Sequence, residues 1–477
     1  MTRWSVAGNT KDGSSFDLIV VGGGPGGYVG AIRAAQLGMK VACVEADKLG
    51  GVCLNIGCIP TKALLTSALA VNQLAHASGH GIEVKDYTVS LGPAQERSRS
   101  VAKQLNRGVG GLFKKNKVTH IEGFGRLAGD GAVEVESEDG GKKTYRAGHI
   151  LLATGSRPRS LPFLQIDGER IWSSDHALFQ KEAPKSLGIV GAGAIGMEFA
   201  DIFDAFGSEV TIIEALDRVL PVEDADVSAH VHKVFKKRGM RILAGARLKS
   251  SEPTDSGVRL VLNNSDGEEE TLEFDRVLSA VGRLPNTEDL GLDEVGVAVG
   301  EDGSIEIDER MQTTVKGVYA VGDCAGGPLL AHKASHEGIV CVEHIAGEGH
   351  GGVDYRNIPA CTYCHPEVAS VGLTEEQAKE EGYDIEVGKF PWVGNGRALA
   401  AGDADGFIKV IRDRRYSEVL GAHIVGPHAT ELIAEFVVGR HLETTAEEME
   451  KAIHPHPTLS EAVAEAALAS LGRAIHI

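Results

Sequence analysis

A chain of 477 residues is too long for one compact core and predicts two to four domains around a large apolar interior. Its 42% hydrophobic and 24% charged residues are ordinary for a soluble globular protein, and 5% aromatic content argues against a broad carbohydrate-binding or base-stacking surface. A formal net charge of −19 argues against nonspecific nucleic-acid binding, since phosphate backbones select basic surfaces. Most of that charge reads as solvated surface, and a macromolecular partner is expected to bring a basic patch.

Met1 to Ser15 is polar, lacks the apolar centre of a secretory signal and contains Asp12, so it reads as a frayed arm. No apolar run approaches the roughly 20 residues of a bilayer crossing, and no membrane span is expected. Seven cysteines form an odd set without a regular framework, which suits a reducing compartment, the cytoplasm, and makes any disulfide catalytic rather than structural.

In chain order, the apolar run Phe16 to Val21 ends in Gly22-Gly23-Gly24-Pro25-Gly26-Gly27, followed by alanine-rich helical spacing from Tyr28 to Leu37 and a second apolar run, Lys40 to Val44, ending in Glu45. That is a βαβ unit. Val133 to Thr144 alternates charged and apolar residues about Gly140-Gly141, predicting an antiparallel hairpin. His149 to Ala153 enters Thr154-Gly155-Ser156, with Arg157-Pro158 as a linker. The βαβ layout then recurs: Ser186 to Val190, Gly191-Ala192-Gly193-Ala194-Ile195-Gly196, a helix through Phe206, and Glu209 to Ile213 ending in Glu214. Val277 to Val281 and Gly282-Arg283-Leu284-Pro285-Asn286 mirror the earlier exit. From about Ile358, strands at Phe407 to Arg412 and Glu418 to Val425 mix with helices at Glu375 to Glu381, Ala429 to His441 and Leu459 to Leu471, which predicts a terminal α+β domain.

A lone glycine-rich turn is weak evidence, but Gly22, Gly24 and Gly27 follow a strand and open a helix, where bare backbone can approach a pyrophosphate and the helix N-terminus offers N–H donors. Glu45 stands where it would accept from an adenosine ribose. Gly191, Gly193, Ile195 and Gly196 with Glu214 repeat the pattern, and the acid at Glu214 disfavours a 2′-phosphate, so the second nucleotide is expected to be NAD rather than NADP. Cys53 and Cys58, in Gly50-Gly51-Val52-Cys53-Leu54-Asn55-Ile56-Gly57-Cys58-Ile59-Pro60-Thr61-Lys62, follow the first unit directly. Zinc would need more ligands than these two, and buried inert thiols fit poorly with the glycine, asparagine and proline around them. A helix start with a reactive, low-pKa thiolate fits better, so the two are read as a redox pair. No metal is expected.

These stretches, with Leu-Ala-His-Lys-Ala at 330 to 334 and His-Pro-Glu-Val-Ala-Ser-Val-Gly-Leu-Thr-Glu at 365 to 375, make the chain from about Phe16 to Gly472 resemble the pyridine nucleotide-disulfide oxidoreductase family, and within it the members that oxidise dihydrolipoamide with NAD. The resemblance implies an α/β fold with two Rossmann-like dinucleotide-binding domains, for FAD at 1–157 and NAD at 158–286. A central domain at 287–357 would complete the FAD site, and a C-terminal α+β dimerisation domain would occupy 358–477. It implies Cys58 as the thiol nearer the flavin, Cys53 as the thiol exchanging with substrate, and Lys62 near flavin N5 and paired with Glu198. Thr154, Gly155, Ser156 and Asp323 are implied as FAD contacts, with Leu329, Leu330, Ala331 and His332 along the flavin, Gly125 near its adenosine half, and Leu248 and Gly282 approaching NAD. It further implies a homodimer, a lipoyl domain as substrate, and the basic subunit-binding domain of a 2-oxo acid dehydrogenase acyltransferase as partner.

Thiol exchange also needs a base, and His454-Pro455-His456-Pro457-Thr458-Leu459-Ser460-Glu461 offers one. A histidine between prolines could be structural, but the resemblance makes His456 and Glu461 a dyad facing Cys53 of the partner subunit. Other family chemistries remain as alternatives. A glutathione-type reductase would prefer NADP, and a mercuric reductase would carry a C-terminal cysteine pair, whereas this chain ends Arg473-Ala474-Ile475-His476-Ile477. Cys361 and Cys364 read as a strand entry, His332 and His336 as a helical pair without a protease pattern, and Cys43, Cys324 and Cys341 as inert.

Overall fold

The computed structural model describes residues 14–349 and 351–477. The expected arm lies outside them except at its end, where Ser15 already belongs to the strand Ser15–Val21. The chain divides into two compact units. One comprises the chain up to Ala63, then Gln95–Arg159 and Gly282–Val353; the other comprises Leu64–Ala94, Ser160–Val281 and Asp354–Ile477.

In the first unit, strands Thr119–Glu122, Val41–Glu45, Ser15–Val21, Lys142–Leu152 and Val318–Ala320 run parallel, side by side in that order. Leu18, Ile19 and Val20 are fully buried, the pattern of a central strand covered on both faces. The expected hairpin is present as Ala132–Glu136 pairing with Lys142–Leu152, turned at Gly140, with Phe124–Leu127 beyond it. Helix Pro25–Gln36 packs on helix Ala331–Ala346 at glycines so close that a Cβ on Gly338 would lie 2.5 Å from the Gly26 carbonyl oxygen. One expectation needs correcting. Ser156–Pro158 is not a plain linker but a short strand paired antiparallel with Arg283–Pro285, because both chain exits are extended and satisfy each other's backbone groups.

The second unit holds a parallel sheet in the order Arg241–Ala244, Glu209–Glu214, Ser186–Val190, Arg276–Ser279 and Ile171–Trp172. A meander of Arg247–Pro253, Val258–Asn263 and Glu269–Phe274 follows, and its alternating burial marks a sheet with one apolar face. The C-terminal sheet runs Ala360–Thr362, Glu367–Gly372, Val419–Gly426, Phe407–Asp413 and Ile385–Pro391, all antiparallel. Helix Glu461–Ser470 lies so close to it that a Cβ on Gly388 would meet the Ser470 backbone nitrogen at 2.2 Å.

The expectation of no apolar run of membrane length also needs correcting. Within the 25 residues Gly51–Ala75, an 18-residue window has mean hydropathy 1.4. This run is broken at Gly57 into helices Gly51–Ile56 and Cys58–Ala75, and Leu64, Leu65 and Ala68 are buried, with both leucines in a protein core cluster.

Behind the C-terminal sheet lies a buried charged cluster. Lys409 Nζ reaches Asp224 at 2.9 Å, Asp226 at 3.1 Å and Glu375 at 2.7 Å, with its side chain 3% exposed. Next in sequence to Asp224, Glu223 is buried with Oε2 unpartnered among the described residues. Burial pushes its carboxyl up to about 7, against a hydrogen bond from Ser370 and assisted by Asp224. A raised folded-state pKa means stability is fully present below the ordinary carboxylate value and is lost as pH rises through 7. Glu223→Gln is therefore expected to stabilise the protein by about 3 kcal/mol at pH 8 and by almost nothing at pH 4.5. Urea denaturation at the two pH values checks this, and equal gains at both would refute it.

Candidate active site

Two glycine turns share one geometry, each described within its own unit. A Cβ on Gly27 would sit 1.9 Å from the Gly22 carbonyl oxygen, and one on Gly196 would sit 1.9 Å from that of Gly191, so neither turn closes with any other residue. The middle glycines differ: the nearest atom to a Cβ on Gly24 is 3.9 Å away, and Gly193 has nothing within 4 Å. Space is thus left open at the N-caps of helices Pro25–Gln36 and Ala194–Ala205, whose first N–H groups have no intrahelical acceptor. Glu45 is held beside the first turn by the N–H groups of Gly23 at 2.6 Å and Asp47 at 2.8 Å. Glu214 is held beside the second by Ala192 at 2.7 Å and Leu216 at 2.9 Å. Ile195 stands in the first turn of the second helix. Both cradles have the shape and donors a dinucleotide pyrophosphate needs. Gly196→Ala, which cannot close the second turn, is expected to weaken binding of a dinucleotide there about 100-fold or more, as read by titration.

Cys53 lies in helix Gly51–Ile56 and Cys58 opens helix Cys58–Ala75. Their side chains share a hydrogen bond, and the Cys58 N–H also points at the Cys53 sulfur. The Cys53 thiol is pushed well up, first by that side-chain hydrogen bond, then by burial, while Lys62 pulls it down. The neighbouring sulfur and burial thus disfavour the Cys53 thiolate, and Lys62 favours it. Lys62 stands one turn along the second helix, close enough to act on this sulfur.

The redox segment is fixed to the first cradle. Gly50 N–H donates to the Gly23 carbonyl at 2.8 Å, and at Gly51, with φ +57°, a Cβ would lie 2.7 Å from Gly24 Cα. Asn55 donates to the carbonyls of Leu49 at 3.1 Å and Gly51 at 2.9 Å, and the Thr61 hydroxyl donates to the Gly57 carbonyl at 2.7 Å across the helix break. From helix Leu91–Asn116, Arg97 donates to Ala63 O at 2.9 Å, Ser98 to Pro60 O at 3.1 Å, Arg99 to Asn55 O at 2.7 Å and Asn106 to Leu49 O at 2.6 Å. Sequence reasoning missed this splint. The available signal is the set of polar residues at helical spacing in 97–106.

At the exits, the Thr154 hydroxyl donates to the Asn286 carbonyl at 2.6 Å, Gly155 follows with a positive φ, and Ser156 donates to Asp323 Oδ2 at 2.5 Å while accepting from Arg283 at 2.8 Å. The Asp323 turn is bolted down by a fully buried pair that sequence reading also missed. Glu337 accepts the Gly322 N–H at 2.7 Å and pairs with Lys333 at 3.3 Å, and Lys333 donates to the Gly322 carbonyl at 3.2 Å. The i, i+4 spacing of Lys333 and Glu337 in a largely apolar helix was the available cue. Just before that buried lysine come Leu329, 42% exposed, the N-cap Leu330, Ala331 and the exposed His332. His336 is exposed as well.

Gly125 sits against Val21 and Val44, at the strand ends that carry the first cradle. Gly282, with φ +109°, precedes the strand Arg283–Pro285, and Leu248 packs toward the meander's core with Val258, Leu260 and Leu262. Glu198 is buried and accepts the Tyr363 N–H at 3.0 Å. Cys361 lies in strand Ala360–Thr362, and Cys364, Cys43, Cys324 and Cys341 are fully buried, with burial the leading cause that raises each of these four thiols. Among the described residues, no three His, Cys, Asp or Glu side chains cluster as metal ligands.

In the second unit, His456 Nδ1 meets Glu461 Oε1 at 2.8 Å, and Glu461 Oε2 accepts the Thr458 N–H at 2.8 Å. Burial raises the Glu461 carboxyl, but the Thr458 N–H and the His456 ring outweigh it and leave the group below its ordinary value. The imidazole is 79% exposed, so its other nitrogen faces outward. Neighbouring His454 is 9% exposed and meets Glu435 at 2.6 Å, anchoring the loop from which His456 projects.

Two glycine cradles, each with a clamped carboxylate, and a hydrogen-bonded cysteine pair fixed to one of them define a dinucleotide-dependent disulfide oxidoreductase. A model of pyridine nucleotide-disulphide oxidoreductases matches residues 16–338, that family's dimerisation domain matches 358–467, and the chain belongs to this family. It is 48% identical to a dihydrolipoyl dehydrogenase of Zymomonas mobilis over 97% of this chain and 99% of the relative. A dihydrolipoyl dehydrogenase of Bacillus subtilis is 43% identical, with 97% and 99% covered. The crystal structure of LpdA from Mycobacterium tuberculosis superposes with a TM-score of 0.89 at 31% identity, covering 94% of this chain and 98% of that one. The family uses FAD and NAD, which the two cradles fit, and its C-terminal dimerisation domain supports a homodimer.

Proposed function

We propose that this protein oxidises dihydrolipoamide to lipoamide and delivers the electrons to NAD, taking as substrate a lipoyl domain of a 2-oxo acid dehydrogenase or glycine cleavage complex. The observation that carries this reading is the contact between Cys53 and Cys58 on a segment fixed to the first cradle. One thiolate of the substrate attacks Cys53 in the oxidised Cys53–Cys58 disulfide, forming a mixed disulfide and releasing Cys58 as thiolate. The second substrate thiolate then attacks the substrate sulfur bound to Cys53, closing the lipoamide ring and releasing Cys53. His456 of the partner subunit takes the substrate protons, with Glu461 holding the ring. FAD and NAD, when bound, supply the acceptors through which the electron pair leaves the dithiol. Lys62, within reach of the Cys53 sulfur, supports negative charge on the pair, and its pairing with Glu198 belongs to the same proposal. Glu214 selects NAD by repelling a 2′-phosphate.

The basic binding domain of an acyltransferase core is the proposed scaffold partner, complementary to a chain of net charge −19, and the cytoplasm is the proposed compartment. Purified protein should be reduced by dihydrolipoamide and not by glutathione, and should form NADH far faster than NADPH. Preference for glutathione and NADP would overturn the proposed substrate and leave the family intact.

A further inference from the structure

Helix Leu91–Asn116 inverts the charge of the protein. In a chain of net charge −19 it carries six basic residues against the single acid Glu96, and Lys117 follows it directly. Lys103, Arg107, Lys114 and Lys115 are all exposed, and none makes an ion pair among the described residues. Lys103, Arg107 and Lys114 recur at i, i+4 and i+11, which stacks them in one stripe along the helix. Leu105 and Leu112 stand seven residues apart in a second stripe and are 41% and 43% exposed. An isolated basic stripe departs from an ordinary solvated face, where opposite charges alternate, and the two leucines lie around the helix on its far side from that stripe.

This helix is also the splint of the redox segment, through the bonds of Arg97, Ser98, Arg99 and Asn106 to the backbone around Cys53 and Cys58. A charged surface so placed acts on whatever brings a dithiol to those sulfurs. Free dihydrolipoamide is small and uncharged and gains nothing from it. A protein that carries the dithiol gains if its own surface is acidic, because unpaired lysines and arginines raise the rate of encounter and orient it.

We propose that the exposed face of Leu91–Asn116 is the docking surface for an acidic carrier domain that presents the dithiol; this rests on the dihydrolipoamide reading above. The occupant is a folded protein domain rather than a membrane, since it must carry a dithiol to Cys53 and Cys58 while its acidic surface meets the basic stripe.

The test compares two substrates on the FAD-loaded dimer: free dihydrolipoamide, and dihydrolipoate attached to an isolated acidic lipoyl domain. K103E/R107E/K114E/K115E and the matching all-glutamine variant change only exposed side chains. In the glutamate variant, kcat/KM for the carrier-bound substrate is expected to fall about tenfold or more at low salt, with KM bearing the loss, and to change little with free dihydrolipoamide. The glutamine variant should lie between, and wild type should lose its advantage as salt rises to about 0.5 M. Unchanged carrier kinetics, an equal fall with both substrates, or wild-type binding to anionic phospholipid vesicles with no charge effect on carrier turnover would each overturn the docking proposal. Wild type inactive toward free dihydrolipoamide would instead remove the activity reading beneath it.

Discussion

Cys53→Ser is expected to lower dihydrolipoamide oxidation by about 1,000-fold or more while the protein keeps its fold, its flavin and its ability to pass electrons from NADH to a quinone. Serine nearly matches cysteine in shape, and the segment is held mostly by backbone groups and by Asn55, Arg99 and Asn106, not by the sulfur. What disappears is the sulfur assigned to both the internal disulfide and the mixed disulfide with substrate. The NADH-to-quinone route does not use that sulfur and so reports separately on the cradles. Because Cys58 shares a hydrogen bond with Cys53, its environment also changes, and the visible spectrum of the two-electron-reduced protein should differ from wild type. Turnover retained at more than a few per cent, or flavin lost from the purified variant, would break the assignment of Cys53 as the exchanging thiol.

The features that sequence made legible are those whose causes are local. The glycine turns announce themselves because Gly27 and Gly196 leave no room for a Cβ, so the motif is written in residue type as well as in shape. Cys53 and Cys58 were readable for a similar reason: a glycine break at Gly57 and a helix start at Cys58 place two sulfurs in contact within six residues. What escaped depends on distant partners. The meander from Arg247 to Phe274 has a strand alternation visible in Val258–Asn263, but nothing local says that three strands pair. Ser156–Pro158 becomes a strand only because Arg283–Pro285 lies opposite, 125 residues away at their closest register partners. Lys333 and Glu337 are fully buried, since the carbonyl and N–H of Gly322 satisfy them, and that partner lies outside their own helix. The raised Cys53 thiol could not be read from a helix N-terminus alone, because its largest cause is the neighbouring sulfur.

His456→Gln is expected to slow dihydrolipoamide oxidation about 100- to 10,000-fold while leaving NADH-to-quinone electron transfer intact. Glutamine can hydrogen-bond to Glu461 but cannot take a proton, so the loss measures proton acceptance rather than loop structure, which His454 and Glu435 hold independently. Glu461→Gln should cost less, because the ring stays present and only its orientation and the stabilisation of its charged form are weakened. The sharper test is mixing. If His456 serves Cys53 of the partner subunit, a heterodimer of one Cys53→Ser subunit and one His456→Gln subunit contains one wholly intact site, built from the cysteine of the second and the histidine of the first. Random reassociation of equal amounts makes about half the dimers mixed, so two nearly inactive preparations should recover about one quarter of wild-type turnover after they are dissociated and reassembled together. If each His456 served its own chain, every site in the mixture would lack one group and no activity would return. Recovery measured against the unmixed variants, with flavin content held equal, separates the two arrangements.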